Sequence, residues 1–318
     1  MSAPGLTWTP RYLLLGALFA LPAAVVSVFD PTLGVALALG VLPAASMGLP
    51  ARRIDRLRYP VVGLAVGAAM LLGSILAQWP VVALVVLFAA CVGAAVLSTT
   101  GPAGALVLAL GVPMVGIGFS FHDTESALLI AALIVVGSLW CLVVALPWPE
   151  RDAAARRAPA AGGSLVGFGI RLGLAGTIAA LIGFALGLDH VGWAAGAALL
   201  VMRPSAQLVA SRALTRAASV VVGALLGGAF MLTHPAGWIM GLAALALLTV
   251  LTALAGSRWY VTGGFSTFLL FMALLGGDTG DTAHRFWERT IETLLGVSLA
   301  LVFGLLVPWI GERIRRGR

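Results

Sequence analysis

The chain has 318 residues, of which 61% are hydrophobic and 10% charged, and its formal net charge is +7. An ordinary soluble domain is about 25% charged, so this composition excludes a soluble globular fold and points to an integral membrane protein. The positive balance, carried by nineteen arginines and no lysine, then reads as membrane topology rather than nucleic-acid binding, and no nucleic-acid partner is expected.

A bilayer span takes about 20 apolar residues to cross roughly 30 Å of hydrocarbon. In chain order, apolar runs predict helices at 12–29, 32–49, 60–77, 80–98, 102–120, 125–147, 165–187, 190–204, 215–233, 237–255, 259–276 and 286–309. The first run, after Arg11, has the outline of a signal peptide. A second apolar run follows it instead of a soluble stretch, so it is read as a retained first helix. The eighth is short and ends at Arg203-Pro204, where proline stops a helix. Continuous apolarity without alternating, turn-rich segments favours helices over a barrel. The predicted fold class is therefore all-α integral membrane, with about 12 transmembrane helices.

Short gaps between the runs alternate in charge. Arg52, Arg53, Arg56 and Arg58 fill one, Arg151, Arg156 and Arg157 another, and Arg212 and Arg216 a third. Between them come gaps carrying Asp30, then Asp123 and Glu125, then Asp189 and His190. The positive-inside rule turns this into an orientation with both termini cytoplasmic. Of the nineteen arginines, all but Arg285 and Arg289 then fall on the inner side.

Residues 149–164 form a polar linker rich in Ala, Gly and Pro, and they divide the chain into two similar halves. Asp30 echoes Asp189. Gly63 and Gly67 echo Gly223 and Gly227, both as GxxxG in the third run of their half, and Pro147-Trp148 echoes Pro308-Trp309. An even number of spans per half makes the two parallel six-helix repeats, related by an axis along the membrane normal. The domain reading is 1–148 as a divergent first repeat, 149–164 as a cytoplasmic linker, 165–312 as the second repeat and 313–318 as a basic cytoplasmic tail. The four glycines are expected to pack helices closely.

Two constellations could carry chemistry. Arg285, Glu288, Arg289 and Glu292 open the last run at i, i+3, i+4 and i+7, which puts all four on one helical face. Glu292 lies about 10 Å along the helix from Arg285, a depth at which an ionisable group faces a partner or a wet cavity. The competing reading is an ion-pair ladder anchoring the helix end. The second constellation surrounds the eighth run, where Arg203, Arg212 and Arg216 gather at one inner mouth. A planar guanidinium suits a carboxylate, although ordinary positive-inside placement would also put these residues there. His190 and Trp193 begin the same run. His190 is either an interface residue or a proton relay, and Trp193 either a belt aromatic or a ring that stacks on an aromatic substrate.

Several chemistries are missing from the sequence. It has no GxxxxGK[ST], HEXXH, paired CxxC or GxSxG, and its histidines, at 122, 190, 234 and 284, lack metal-ligand spacing. Cys91 and Cys141 lie within apolar runs and are read as packing residues. No enzyme activity, metal or cofactor is expected.

The second half resembles a known family. The stretch from Arg171 through His190, Trp193 and Pro204 to Arg212, Arg216, Gly223 and Gly227 resembles the fusaric acid resistance protein-like (FUSC) membrane domain. That domain reads as an Arg-led helix, Leu-x-His-x-x-Trp-Ala, an apolar run to Pro, Arg-x-x-x-Arg and a Gly-rich span. Arg289-Thr-Ile-Glu292-Thr-Leu-Leu-Gly296 is similar to its closing Arg-x-x-Asp-Thr-x-x-Gly, with Glu in place of Asp. The resemblance covers residues 165–309 and implies a secondary exporter of aromatic or other small organic acids in a bacterial inner membrane. The pathway candidates are then Arg203, Arg216, Glu288, Arg289, Glu292, His190 and Trp193. The expected partners are a small organic anion, the lipid bilayer, protons as the coupling ion and a second copy of the chain. Two rivals remain at this stage, a passive organic-anion channel and a non-transporting scaffold for envelope proteins.

Overall fold

A computed structural model describes residues 6–99, 107–121, 123–151, 165–188, 190–202, 210–255, 257, 261–275 and 282–316. Every described element is helical. In chain order they are α1 (Tyr12–Phe29), α2 (Pro31–Met47), α3 (Arg53–Arg56), α4 (Arg58–Ala77), α5 (Pro80–Leu97), α6 (Val112–Gly118), α7 (Thr124–Ala145) and α8 (Leu165–Leu186). They continue with α9 (Gly192–Val201), α10 (Ala210–Leu232), α11 (Gly237–Ala253), α12 (Val261–Leu275), α13 (Thr282–Leu301) and α14 (Val307–Arg316). Five-residue π-helical segments, Val107–Gly111 and Val302–Leu306, lead into α6 and α14.

Six helices are long and apolar enough to cross a membrane: Tyr12–Phe29, Arg53–Ala77, Pro80–Leu97, Thr124–Ala145, Leu165–Leu186 and Thr290–Gly311. The other apolar helical stretches, Pro31–Met47, Val107–Gly118, Gly192–Val201, Ala217–Leu232, Gly237–Ala253 and Gly263–Ala273, are shorter, at 10–17 residues, so length and composition support six of the twelve spans the sequence suggests. Proline and local geometry set several of the limits. α2 and α5 start on Pro31 and Pro80, where a missing N–H costs nothing. Asp30 accepts from Leu33 N–H at 3.0 Å and caps α2. Large apolar side chains face outward on these helices: Phe29 is 85% exposed, Val81 75% and Leu186 68%. Water would not tolerate so many, whereas lipid tails solvate them.

Two compact units form, and neither is contiguous in sequence. The first comprises Met1–Gly67, Leu129–Arg157 and Ser219–Glu288, the second Ala68–Leu128, Ala158–Ala218 and Arg289–Arg318. In the first unit α1 packs on α11 and α2, and α2 on α12. Small residues make these approaches close: a Cβ on Gly16 would lie 2.8 Å from Thr249 Cα, and one on Gly40 2.7 Å from Ile134 Cα. In the second unit α5 packs on α8, α8 on α9 and α9 on α6. A Cβ on Gly169 would lie 2.9 Å from Val92 Cα, and one on Gly296 2.8 Å from Ala197 Cβ.

The pairings of the two units correspond. The pair α1 with α11 in the first matches α8 with α5 in the second, and α2 with α12 matches α9 with α6. The pair α2 with α7 likewise matches α9 with α13. Each second pair is the first shifted by six apolar runs, counted cyclically. The GxxxG glycines sit at close approaches, but against different neighbours. Gly63 and Gly67 meet Ser138 and Ala131 of α7, whereas Gly223 and Gly227 meet Gly264 and Phe268 of α12.

Candidate functional site

The arginine-rich gap after α2 is a built structure rather than a loose cluster. Arg56 is fully buried. Its Nη1 donates to the carbonyls of Ala145 (2.7 Å), Leu146 (3.1 Å) and Trp148 (2.8 Å), and its Nη2 to Pro149 (3.1 Å). The last carbonyls of a helix have no partner within it, and here one guanidinium collects those beyond the end of α7. Around it, Tyr59 donates to the carbonyl of Gly48, Asp55 pairs with Arg52 and Arg58, and Arg151 donates to Tyr12 and Leu49. All these groups lie in gaps that the charge alternation assigns to the inner side. The sequence shows the arginines but not that Arg56 is a helix cap.

On α13 the helix runs unbroken through Arg285, Glu288, Arg289 and Glu292, so the four occupy one face as their spacing predicts. Glu288 is half-buried and Glu292 is 2% exposed. One residue on, Thr293 is also buried, and its hydroxyl accepts the indole N–H of Trp193 at 2.8 Å. Gly296, a turn further, lies against Ala194 and Ala197 of α9. The structure therefore brings Trp193 and the Glu292–Gly296 stretch together in the second unit. Trp193 is buried there and ties α9 to α13 instead of lying in a membrane-interface belt. Arg203 lies outside the described residues, as do the side chains of Arg216 and Arg289 on α10 and α13 and that of Arg285.

His190 sits in the turn before α9, where its carbonyl accepts the N–H of Trp193. His190 also lines a cavity of about 540 Å³ in the second unit, with Ala77, Gln78, Pro80, Ser120, Phe184, Gly187, Leu188 and Val191. These residues come from the end of α4, the start of α5, the end of α6 and the turn between α8 and α9. By the charge alternation all those gaps belong to the side opposite the arginine-rich ones. Gly187 makes the turn at φ +61°, a left-handed conformation that glycine adopts without strain. On the same side, Asp123 caps α7. The Ser126 hydroxyl and the N–H groups of Ser126 and Glu125 hold its carboxyl below the usual range. The cavity could not be read from the sequence, since its walls come from three separate gaps and only His190 stood out.

Among the described residues no group of three or more His, Cys, Asp or Glu could hold a metal. Residues 178–308 match the family described as fusaric acid resistance protein-like. The match takes in α9, α13, His190, Trp193 and Glu292, and it begins within α8. The match points to membrane transport or resistance. No curated protein and no solved structure matches the chain.

Proposed function

We propose that this chain is a secondary exporter of small organic acids, aromatic carboxylic acids above all, in a bacterial inner membrane with both termini cytoplasmic. The observation that carries the reading is Glu292, a carboxyl group buried on an apolar helix inside the FUSC match. An acidic side chain at that depth is expensive to keep and marks ion or substrate pathways by default. In this reading Glu292 is the coupling carboxylate, held by Arg289 and flanked by Glu288, with protons as the coupling ion. Arg203 and Arg216 draw the anion to the inner mouth, where a planar guanidinium suits a carboxylate. Without a nucleotide-binding motif, an ion gradient drives any uphill step.

The architecture in this reading is twelve spans in two parallel six-helix repeats. The correspondence of helix pairs between the two units supports it, because the second pair of each set is the first shifted by six runs. Each compact unit then draws on both repeats.

The test is loss of a preloaded aromatic acid from exporter-deficient bacteria expressing the chain, measured at several external pH values. Wild type should lose the acid faster than empty cells, with a rate that depends on pH. Glu292→Gln, inserted at wild-type level, should remove that pH dependence. A variant with unaltered pH-dependent efflux would end the coupling role of Glu292. Current without proton movement would make the protein a passive channel.

A further inference from the structure

The helix that starts at Arg53 is longer than a bilayer needs. Arg53–Ala77, which joins α3 to α4, has 25 residues. That is about 37 Å at 1.5 Å per residue, against roughly 30 Å of hydrocarbon. The 20 residues of α4 fill the hydrocarbon by themselves, so α3 and Leu57 emerge at the level of the lipid headgroups. We propose that this emergent turn is a binding site for an anionic phospholipid. Arg53, with Arg52 beside it, receives the headgroup phosphate, and the upper part of the acyl chains lies against Ile54 and Leu57.

Three observations carry this. First, the turn pairs apolar and cationic groups on its open surface. Ile54 is 64% exposed and Leu57 46%, and their i, i+3 spacing puts them on one face. Two aliphatic side chains left open among arginines suit a ligand with an anionic head and apolar tails. Second, the turn holds positive charge to spare. The Arg53 side chain is exposed and its guanidinium has no hydrogen bond or ion pair among the described residues. Asp55 is shared between Arg52 and Arg58, so one carboxylate serves two guanidiniums. Arg52, Arg53, Arg56, Arg58 and Arg151 together meet two carboxylates, Asp55 and Glu150. The adjoining residues 152–164 add Arg156 and Arg157 against Asp152 by sequence, which keeps the balance positive. Third, the backbone under these side chains is tied down. Arg56 donates to four carbonyls, Tyr59 donates to Gly48, and the Arg53 N–H donates to Glu150 at 2.7 Å. A site held in place beforehand pays less ordering entropy when it binds.

The same groups choose among lipids. A phosphodiester presents two free oxygens and one negative charge, which the planar guanidinium fork matches. Phosphatidylcholine has that phosphate too, but its choline would bring a second cation into a turn that is already positive. Phosphatidylglycerol brings no such cation.

The test does not depend on what the chain transports. The purified full-length chain in detergent is titrated with phosphatidylglycerol or phosphatidylcholine and read by native mass spectrometry, with inorganic phosphate as competitor. Phosphatidylglycerol should bind at lower concentration than phosphatidylcholine, and an equal concentration of inorganic phosphate should not displace it. Arg53→Gln should weaken the tightest phosphatidylglycerol adduct about fivefold, the effect of one arginine at an anionic lipid surface. Ile54→Asn should weaken it as well, through the acyl contact. Both side chains are exposed and the Arg53 N–H remains in either variant, and the thermal midpoint confirms folding. Arg316→Gln removes the same charge from the last residue of α14 and should leave that adduct unchanged. Equal losses in Arg53→Gln and Arg316→Gln would mean diffuse attraction and overturn the site. Displacement by inorganic phosphate would make it a free-anion site and overturn the lipid. A change in oligomeric mass in Ile54→Asn, with lipid adducts intact, would make the turn a contact between copies of the chain and overturn the proposal likewise.

Discussion

Arg56 shows how far a residue's role can depart from its statistical meaning. Its place in a gap is what the positive-inside rule dictates, yet four carbonyls accept from its buried guanidinium. Arg56→Ala removes the donor shared by these carbonyls; the Ala145 carbonyl keeps the Trp148 N–H, and each of the others that stays shielded from water costs about 1–3 kcal/mol. A drop in thermal midpoint large enough to lower membrane yield is expected, and Arg56→Lys should recover only part of it, because an ammonium cannot fork to four acceptors. A wild-type midpoint for Arg56→Ala, measured in detergent, would contradict the capping role. Asp123 supplies a pH-dependent counterpart. The Ser126 hydroxyl foremost, and then two backbone N–H groups, depress its pKa. Its stabilisation is thus full above the unfolded-state value of about 4 and fades as pH falls through the lower folded-state value. Asp123→Ala should lower the thermal midpoint at pH 7, and the gap to wild type should close as the buffer is taken below about pH 4. A gap that stays constant on acidification would rule this out. Trp193→Phe keeps the ring but loses the N–H to Thr293, and should cost about 1 kcal/mol in thermal unfolding.

At the scale of elements, most helices were legible because apolar runs between charged gaps leave little choice in lipid. The predicted 80–98 and 165–187 become Pro80–Leu97 and Leu165–Leu186. The runs 102–120 and 286–309 were less legible, since each includes a π-helical segment that periodicity does not announce. Both segments have a proline just beyond them, Pro113 and Pro308. A proline ring clashes with the carbonyl four residues back, here that of Ala109 or Gly304, and both carbonyls lie within the π segments. A wider turn relieves the clash and lets the helix continue. This is why Pro147 and Pro308, an apparent match, differ. The chain leaves the helix before Pro147, but it passes Pro308 and stays helical to Arg316, with Arg313 over the Trp309 ring at 4.1 Å. The tail read as a separate 313–318 segment is thus largely the end of α14. Small-residue packing was legible as GxxxG but its partners were not. Gly223 faces Gly264, where a Cβ would lie 2.8 Å from a backbone Cα with no side chain able to yield. Gly223→Val should therefore destabilise by roughly 1–3 kcal/mol, visible as a lower thermal midpoint.

For the whole molecule, the sequence carried the helical membrane class better than the site. Charge alternation and the FUSC-like residues of the second half were on the surface of the sequence. The interleaving of segments in each compact unit, the cap at Arg56 and the cavity at His190 depend on residues far apart in the chain. Orientation can be checked directly, because the native thiols Cys91 and Cys141 are fully buried and leave a low labelling background. A cysteine at Gln78 should react with a membrane-impermeant maleimide added to intact spheroplasts, and one at Arg52 should react only after permeabilisation. The reverse pattern would invert the topology and with it the side on which the His190 cavity opens.

The central claim is export of small organic acids. Its most direct test is the purified chain in liposomes loaded with radiolabelled benzoate, with an imposed proton gradient and matched protein-free vesicles. The account predicts efflux that exceeds the protein-free rate, responds to the gradient and loses that response in Glu292→Gln. Equal loss of benzoate from protein-containing and protein-free vesicles, with the protein inserted and folded, would contradict it.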